Sequence, residues 1–133
     1  MKTLIVEDDF VCRRLLQHIL SPYGQCDVAV NGEEALVAFR SAHTEKAPYD
    51  LICLDIMMSG MNGHDVLRTV RLDEQAADIA PAEGAKVIMT TALDTRDDIL
   101  DAFRDGCEAY LRKPIGREIL LKKIRELGLI TGD

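Results

Sequence analysis

Four short, largely apolar runs each end in polar residues whose chemistries complement one another. Leu4-Ile5-Val6 leads into Glu7, Asp8 and Asp9; Leu51-Ile52-Cys53-Leu54 leads into Asp55; Val87-Ile88-Met89 leads into Thr90 and Thr91; and Ala109-Tyr110-Leu111-Arg112 leads into Lys113-Pro114. Carboxylates brought close together repel, which raises a pKa or calls for a counter-ion. Glu7, Asp8 and Asp55 offer hard oxygen donors, and magnesium takes one or two carboxylates while keeping several waters. The cysteines and histidines are not placed to recruit a softer metal. Lys113 supplies a compact positive charge for an incoming phosphoryl oxygen, or else an ordinary ion pair. Thr91 supplies a hydroxyl, or else is simply a β-branched strand residue. A dication, a carboxylate, an ammonium and a hydroxyl together fit phosphoryl transfer onto a carboxylate. Asp55 is the best nucleophile, because it follows the most apolar run and heads a glycine-containing loop. The plain alternative is an acidic loop that binds nothing; the convergence of titratable groups weighs against it.

Those groups meet only if the apolar runs are neighbouring parallel strands. Between the runs lie stretches with helical spacing. Cys12, Leu15, Leu16 and Ile19 form one stripe, stopped by Ser21-Pro22-Tyr23-Gly24; Ala35, Ala38, Phe39 and Ala42 form a second, broken by Lys46-Ala47-Pro48. Asp27 to Val30 reads as a short strand closed by the turn pair Asn31-Gly32. A Gly- and Met-rich loop, Met57 to Gly63, precedes a third helix marked by Val66, Leu67 and Val70, with the acidic stretch 73–84 as a connection that prolongs it. Thr95 is positioned to cap a fourth helix carrying Ile99, Ala102 and Phe103, which ends at Gly106. Leu120, Ile124 and Leu127 stripe a fifth, followed by Gly128. Five βα units demand an α/β fold: an open, doubly wound sheet of five parallel strands flanked by five helices. In such sheets ligands bind beyond the carboxyl ends of the strands, where all four polar groups would gather.

The chain has 133 residues, which suits one domain spanning 1–133. Its formal charge of −7 argues against a direct, sequence-independent grip on nucleic acid or an anionic membrane. No apolar run reaches the roughly 20 residues of a membrane span, and the N-terminus turns acidic at Glu7 with no room for a signal peptide. A cytoplasmic location is therefore expected. Cys12, Cys26, Cys53 and Cys107 are scattered and read as buried free thiols. Arg13-Arg14 offers a small basic contact for a partner or an ordinary exposed turn. The acids from Asp94 to Asp105 read as a solvated helix face. His18, His43 and His64 share no spacing.

The residues resemble the receiver domain of two-component response regulators, over essentially the whole chain, and in length a stand-alone CheY-like receiver with no output domain. The matching pieces are Leu4-Ile5-Val6-Glu7-Asp8, the segment Leu54-Asp55 to Gly63, Met89-Thr90-Thr91-Ala92, and Tyr110-Leu111-Arg112-Lys113-Pro114. The resemblance, not the spacing, supplies the strand order 2-1-3-4-5 and the flavodoxin-like topology. It implies that Asp55 accepts a phosphoryl group from a histidine kinase or a small donor such as acetyl phosphate. Glu7, Asp8, Asp55 and the backbone carbonyl of Met57 would hold Mg²⁺, and Lys113 would pair with the phosphoryl group. Thr91 and Tyr110 would be the switch residues. A face made of helix 4, strand 5 and helix 5 would be read by a downstream effector, as in chemotaxis, with the receiver a monomer or weak dimer.

The sequence departs from the family at Ser59, where proline is usual, and at Glu7, where aspartate is commoner. Met57 and Leu93, each two residues beyond a site residue, are both apolar; in the family these positions border the route of the hydrolytic water, so the resemblance implies slow self-hydrolysis here. Three rival readings remain open. An aspartyl-phosphate phosphatase or phosphotransferase would want a second acid where Met57 stands. A flavin carrier would want a phosphate-cradling first loop in place of an acidic one. A phosphorylation-independent pseudo-receiver would not need Asp55, Lys113 and Thr91 together.

Overall fold

A computed structural model describes residues 1–92 and 96–131. Its strands are β1 (Thr3–Val6), β2 (Cys26–Ala29), β3 (Leu51–Asp55), β4 (Lys86–Thr91) and β5 (Ala109–Arg112), alternating with helices α1 (Phe10–Leu20), α2 (Gly32–Thr44), α3 (Gly63–Ala76), α4 (Arg96–Arg104) and α5 (Arg117–Glu126). All neighbouring strands are parallel, in the order β2-β1-β3-β4-β5. The sequence expectation of a doubly wound α/β sheet with five helices holds.

Every residue of β1 and β3 is buried, as expected of central strands covered on both sides. Successive side chains point to opposite faces, so β1 feeds two cores. Leu4 and Val6 join Phe39, Val66, Leu67 and Ala102 beneath α2, α3 and α4. Ile5 joins Leu16, Ile19, Leu20, Leu120 and Ile124 beneath α1 and α5. Each fully buried Leu or Ile contributes about 1.5–3 kcal/mol relative to exposure, so the sheet between the two layers is a rigid platform for whatever its edge carries.

Several sequence expectations are corrected locally. Asn31-Gly32 is not a turn pair: Asn31 caps α2, accepting the Glu34 N–H at 2.8 Å, and Gly32 is its first residue. Strand β2 begins one residue earlier than the composition implies, at Cys26. Leu15 and Phe103 face solvent, because the buried stripe of α1 rotates onto Leu16, Ile19 and Leu20 and that of α4 onto Ala102. The third helix extends to Ala76, and the connection proper is 77–85. The cysteines are free as expected, but Cys12 and Cys26 are only half-buried; burial pushes the Cys53 and Cys107 thiols up to about 12. Thr95 and Asp94 lie outside the described residues. Asp97 and Asp101 are exposed as expected, whereas Asp105 is tied down by Arg68 at 2.9 Å.

The end of the sheet opposite the acids is tied by a side chain that periodicity does not flag. Arg71 of α3 donates to Glu74 Oε1 (2.7 Å), the Ala85 carbonyl (2.8 Å), the Gly106 carbonyl (2.8 Å) and Glu108 (2.9 Å). Glu74 in turn accepts the Ala85 N–H (2.7 Å) and Glu108 the Val87 N–H (2.6 Å). One guanidinium thus joins α3 to β4 and to the turn before β5. Removing the cation would leave Glu74, which is 5% exposed, without a positive partner, held only by the Ala85 N–H. Arg71→Ala is expected to cost about 3 kcal/mol, against at most about 0.5 kcal/mol for Leu72→Ala on the exposed face of the same helix. Urea unfolding of the two variants measures the difference; equal losses would contradict the role assigned to Arg71.

Candidate functional site

The register fixes which polar groups meet. Val6 pairs with Leu54 and Asp55 with Thr90, so Glu7, the residue after β1, lies level with Asp55. The Glu7 N–H still pairs with the Ala29 carbonyl (3.0 Å) and Ile56 with the Thr90 carbonyl (3.0 Å), which holds both residues in the frame of the sheet. Glu7, Asp8 and Asp55 each present an oxygen, and these oxygens lie within 4.8 Å of one another. Glu7 and Asp55 are buried, whereas Asp8 is exposed. Asp9, the third acid of the run, is not part of this cluster. It caps α1, accepting the Cys12 N–H at 3.0 Å; the Cys12 thiol, and after it that backbone N–H, lower its pKa.

Lys113 reaches the same point from the end of β5. Its Nζ lies 2.5 Å from Glu7 Oε1 and 3.4 Å from Asp55 Oδ2. Its backbone N–H donates to the Thr91 carbonyl at 2.7 Å, and the Lys113-Pro114 peptide is cis. Thr91 is buried at the end of β4. Tyr110 is half-buried and packs against the core layer under α2, α3 and α4. Met57 donates its N–H to Asp55 Oδ1 at 3.2 Å while its side chain is 57% exposed. Leu93, the other apolar residue expected on the water route, lies outside the described residues.

Two supports escaped the sequence reading. Arg13 donates to the Glu7 carbonyl at 3.0 Å and to that of Asp8 at 3.5 Å, so it braces the acidic turn from α1 and is not a spare basic contact. Gly63 stands so close to β3 that a Cβ there would come within 2.5 Å of the Asp55 carbonyl oxygen. Arginine four to six residues after an acidic turn that opens a helix is a signal for the first; the second has none in sequence. Away from the rim, a cavity of about 380 Å³ lined by His43, Tyr49, Glu74 and Lys86 opens at the amino ends of the strands and takes no part in this cluster.

Burial, joined by the hydrogen-bonded charge of Glu7, pushes the Asp55 carboxyl up to about 7, with Lys113 and the Met57 N–H pulling the other way. Burial also works against the Lys113 ammonium, but its bond to Glu7 and the charge of Asp55 hold its pKa above the ordinary lysine value. Anionic oxygens crowded at a buried edge, with nitrogen and sulfur donors absent from the cluster, suit a hard dication. The residues present therefore fit magnesium. The same edge sets the Asp55 carboxylate beside an ammonium, a pairing chemically suited to receiving a phosphoryl group.

The response regulator receiver domain model matches residues 3–125. The chain is 32% identical over 127 residues to the chemotaxis protein CheY of Pseudomonas aeruginosa, covering 96% of this chain and 95% of that one. It is 30% identical to the regulatory protein VanRB of Enterococcus faecalis, covering 93% of this chain but spanning half of that relative's length. Among solved structures, Vibrio cholerae CheY4 superposes with a TM-score of 0.77 at 27% identity, covering 95% of this chain and 97% of that one. CheY in the CheX-CheY-BeF3-Mg complex of Borrelia burgdorferi superposes with a TM-score of 0.82 at 25% identity, covering 96% and 89%.

Asp55 titrates near 7 in the fold against 3.8 in an unconstrained chain. The folded state therefore favours the neutral carboxyl. The stability this group contributes is complete below about pH 4 and is lost as pH rises through about 7. In metal-free buffer Asp55→Asn is expected to be more stable than wild type at pH 8, with the difference shrinking toward pH 5. Urea titrations at both pH values measure it, and a variant less stable than wild type at pH 8 would contradict the crowding of these acids.

Proposed function

The chain belongs to the response regulator receiver domain family of two-component signalling, and we propose that Asp55 is its phosphoacceptor. The observation that carries this reading is the meeting of oxygens of Glu7, Asp8 and Asp55 within 4.8 Å, with the Lys113 ammonium paired to Glu7 and Asp55. Glu7, Asp8, Asp55 and the Met57 carbonyl would hold Mg²⁺. When bound, the ion neutralises the crowded acids and the charge of the transferred group.

An Asp55 carboxylate oxygen attacks phosphorus on a kinase phosphohistidine or on acetyl phosphate. The bond to the donor's nitrogen or oxygen breaks as the acyl phosphate forms. The Met57 N–H orients the other carboxylate oxygen, to which it is already bonded. Lys113 takes a phosphoryl oxygen as its new partner. Thr91, at the end of the neighbouring strand, offers its hydroxyl to another. Tyr110 then moves inward behind it, a population shift driven by contacts made only in the phosphorylated form. The α4–β5–α5 face carries the change to a downstream protein, in a cytoplasmic monomer or weak dimer; the charge of −7 supports action without direct nucleic-acid contact. Among the described residues no helix is long and apolar enough to cross a membrane. Met57 at the second position beyond Asp55 offers no acid or base, which favours a phosphorylated switch over a turnover phosphatase.

Incubation with acetyl phosphate and Mg²⁺ is expected to add one phosphoryl group by mass, abolished by EDTA and in Asp55→Asn. Modification surviving in the variant would remove Asp55 from the role. Thr91→Ala should still be phosphorylated but should lose most of the amide shift changes on α4, β5 and α5; a full set of changes would remove the threonine from the switch. Replacing the two apolar residues, Met57→Asn with Leu93→Glu, is expected to speed phosphoryl loss several-fold by opening the water route. Radiolabel decay that is unchanged or slower would end that explanation.

A further inference from the structure

We propose that Glu7 is a positioning residue as well as a cation ligand: it draws the Lys113 ammonium closer to itself than to Asp55 until a dication claims its carboxylate, so that cation binding comes before phosphoryl acceptance. The inference rests on the reading of Asp55 as phosphoacceptor with Mg²⁺ beside it. Glu7 is completely buried, and a carboxylate without water requires a positive partner. Lys113 is that partner, at 2.5 Å from Glu7 against 3.4 Å from Asp55. The first is the closer ion pair and the second the looser one. Glu7 Oε2 is engaged by the Asp9 N–H at 3.3 Å, which leaves Oε1 to the ammonium.

Reach makes this contact possible. Strands β3 and β4 separate β1 from β5, and the pair closes over them by joining two long side chains. An aspartate at this position would end about 1.5 Å short. Because the Lys113 N–H is held by the Thr91 carbonyl at 2.7 Å, releasing the ammonium swings the side chain and leaves the strand in place. A dication and an ammonium compete for one buried oxygen, so each weakens the hold of the other.

Mg²⁺ affinity is measured by calorimetry, without any phosphodonor, in wild type, Lys113→Met, Glu7→Asp and the double variant. Lys113→Met is expected to tighten Mg²⁺ binding roughly fivefold beside Glu7 and by well under half that factor in the Glu7→Asp background. In wild type, which escapes any folding defect of the variants, the Lys113 side-chain ammonium NMR signal is expected to move with the same midpoint as the Asp8 amide during a Mg²⁺ titration. Equal gains in the two backgrounds, or a stationary Lys113 signal while Asp8 titrates, would overturn the proposal and leave the cation site standing. No Mg²⁺ response at any residue of the wild type would remove the cation site and this proposal with it.

Discussion

Glu7 and Asp55 lie side by side out of water, and neither can carry its charge there without a cation close at hand. The surrounding architecture serves that requirement. The order β2-β1-β3-β4-β5 sets the ends of β1 and β3 next to each other, β5 delivers Lys113 from farther along the same rim, and Arg13 of α1 steadies the backbone of the acidic turn. The two hydrophobic layers keep the sheet stiff, so the acids cannot relax apart. Their repulsion is stored locally until a proton, an ammonium or a dication answers it.

The opposite end of the sheet solves a similar problem by different means. There Glu74 and Glu108 are joined by one guanidinium whose five donors form a rigid fork, and both acids also accept backbone N–H groups. Every strong acceptor has a fixed donor, so that end is a clamp. At the rim, a flexible ammonium serves two carboxylates and a third, exposed carboxylate stands open to solvent. A molecule whose two ends differ in this way can exchange partners at one end while the other stays fixed.

Much of this was legible in sequence because the elements differ so sharply in period. Leu51 to Leu54 is a continuous apolar run, and its ending at Asp55 marks both the strand and the residue projecting from it. Where the reading erred, short-range signals competed with tertiary ones. Asn31-Gly32 has turn chemistry, but asparagine's side-chain oxygen satisfies the first helical N–H groups equally well, and the apolar face of α2 decided the matter. Leu15 has the right spacing, yet the α1 stripe is wide enough to turn by one position. Asp9 is the third acid of a run whose members cannot be told apart until the chain direction changes at α1. The Arg71 cluster was hidden because its partners at 74, 85, 106 and 108 become neighbours only when the sheet closes.

Gly63 confines where this molecule can vary. With no room for a Cβ beside the Asp55 carbonyl, the start of α3 abuts β3 directly, and that footing admits no side chain. The segment just before it is different: Met57, Ser59 and Gly60 are exposed. Side chains in that short arc can therefore be exchanged without disturbing the footing of α3 on β3.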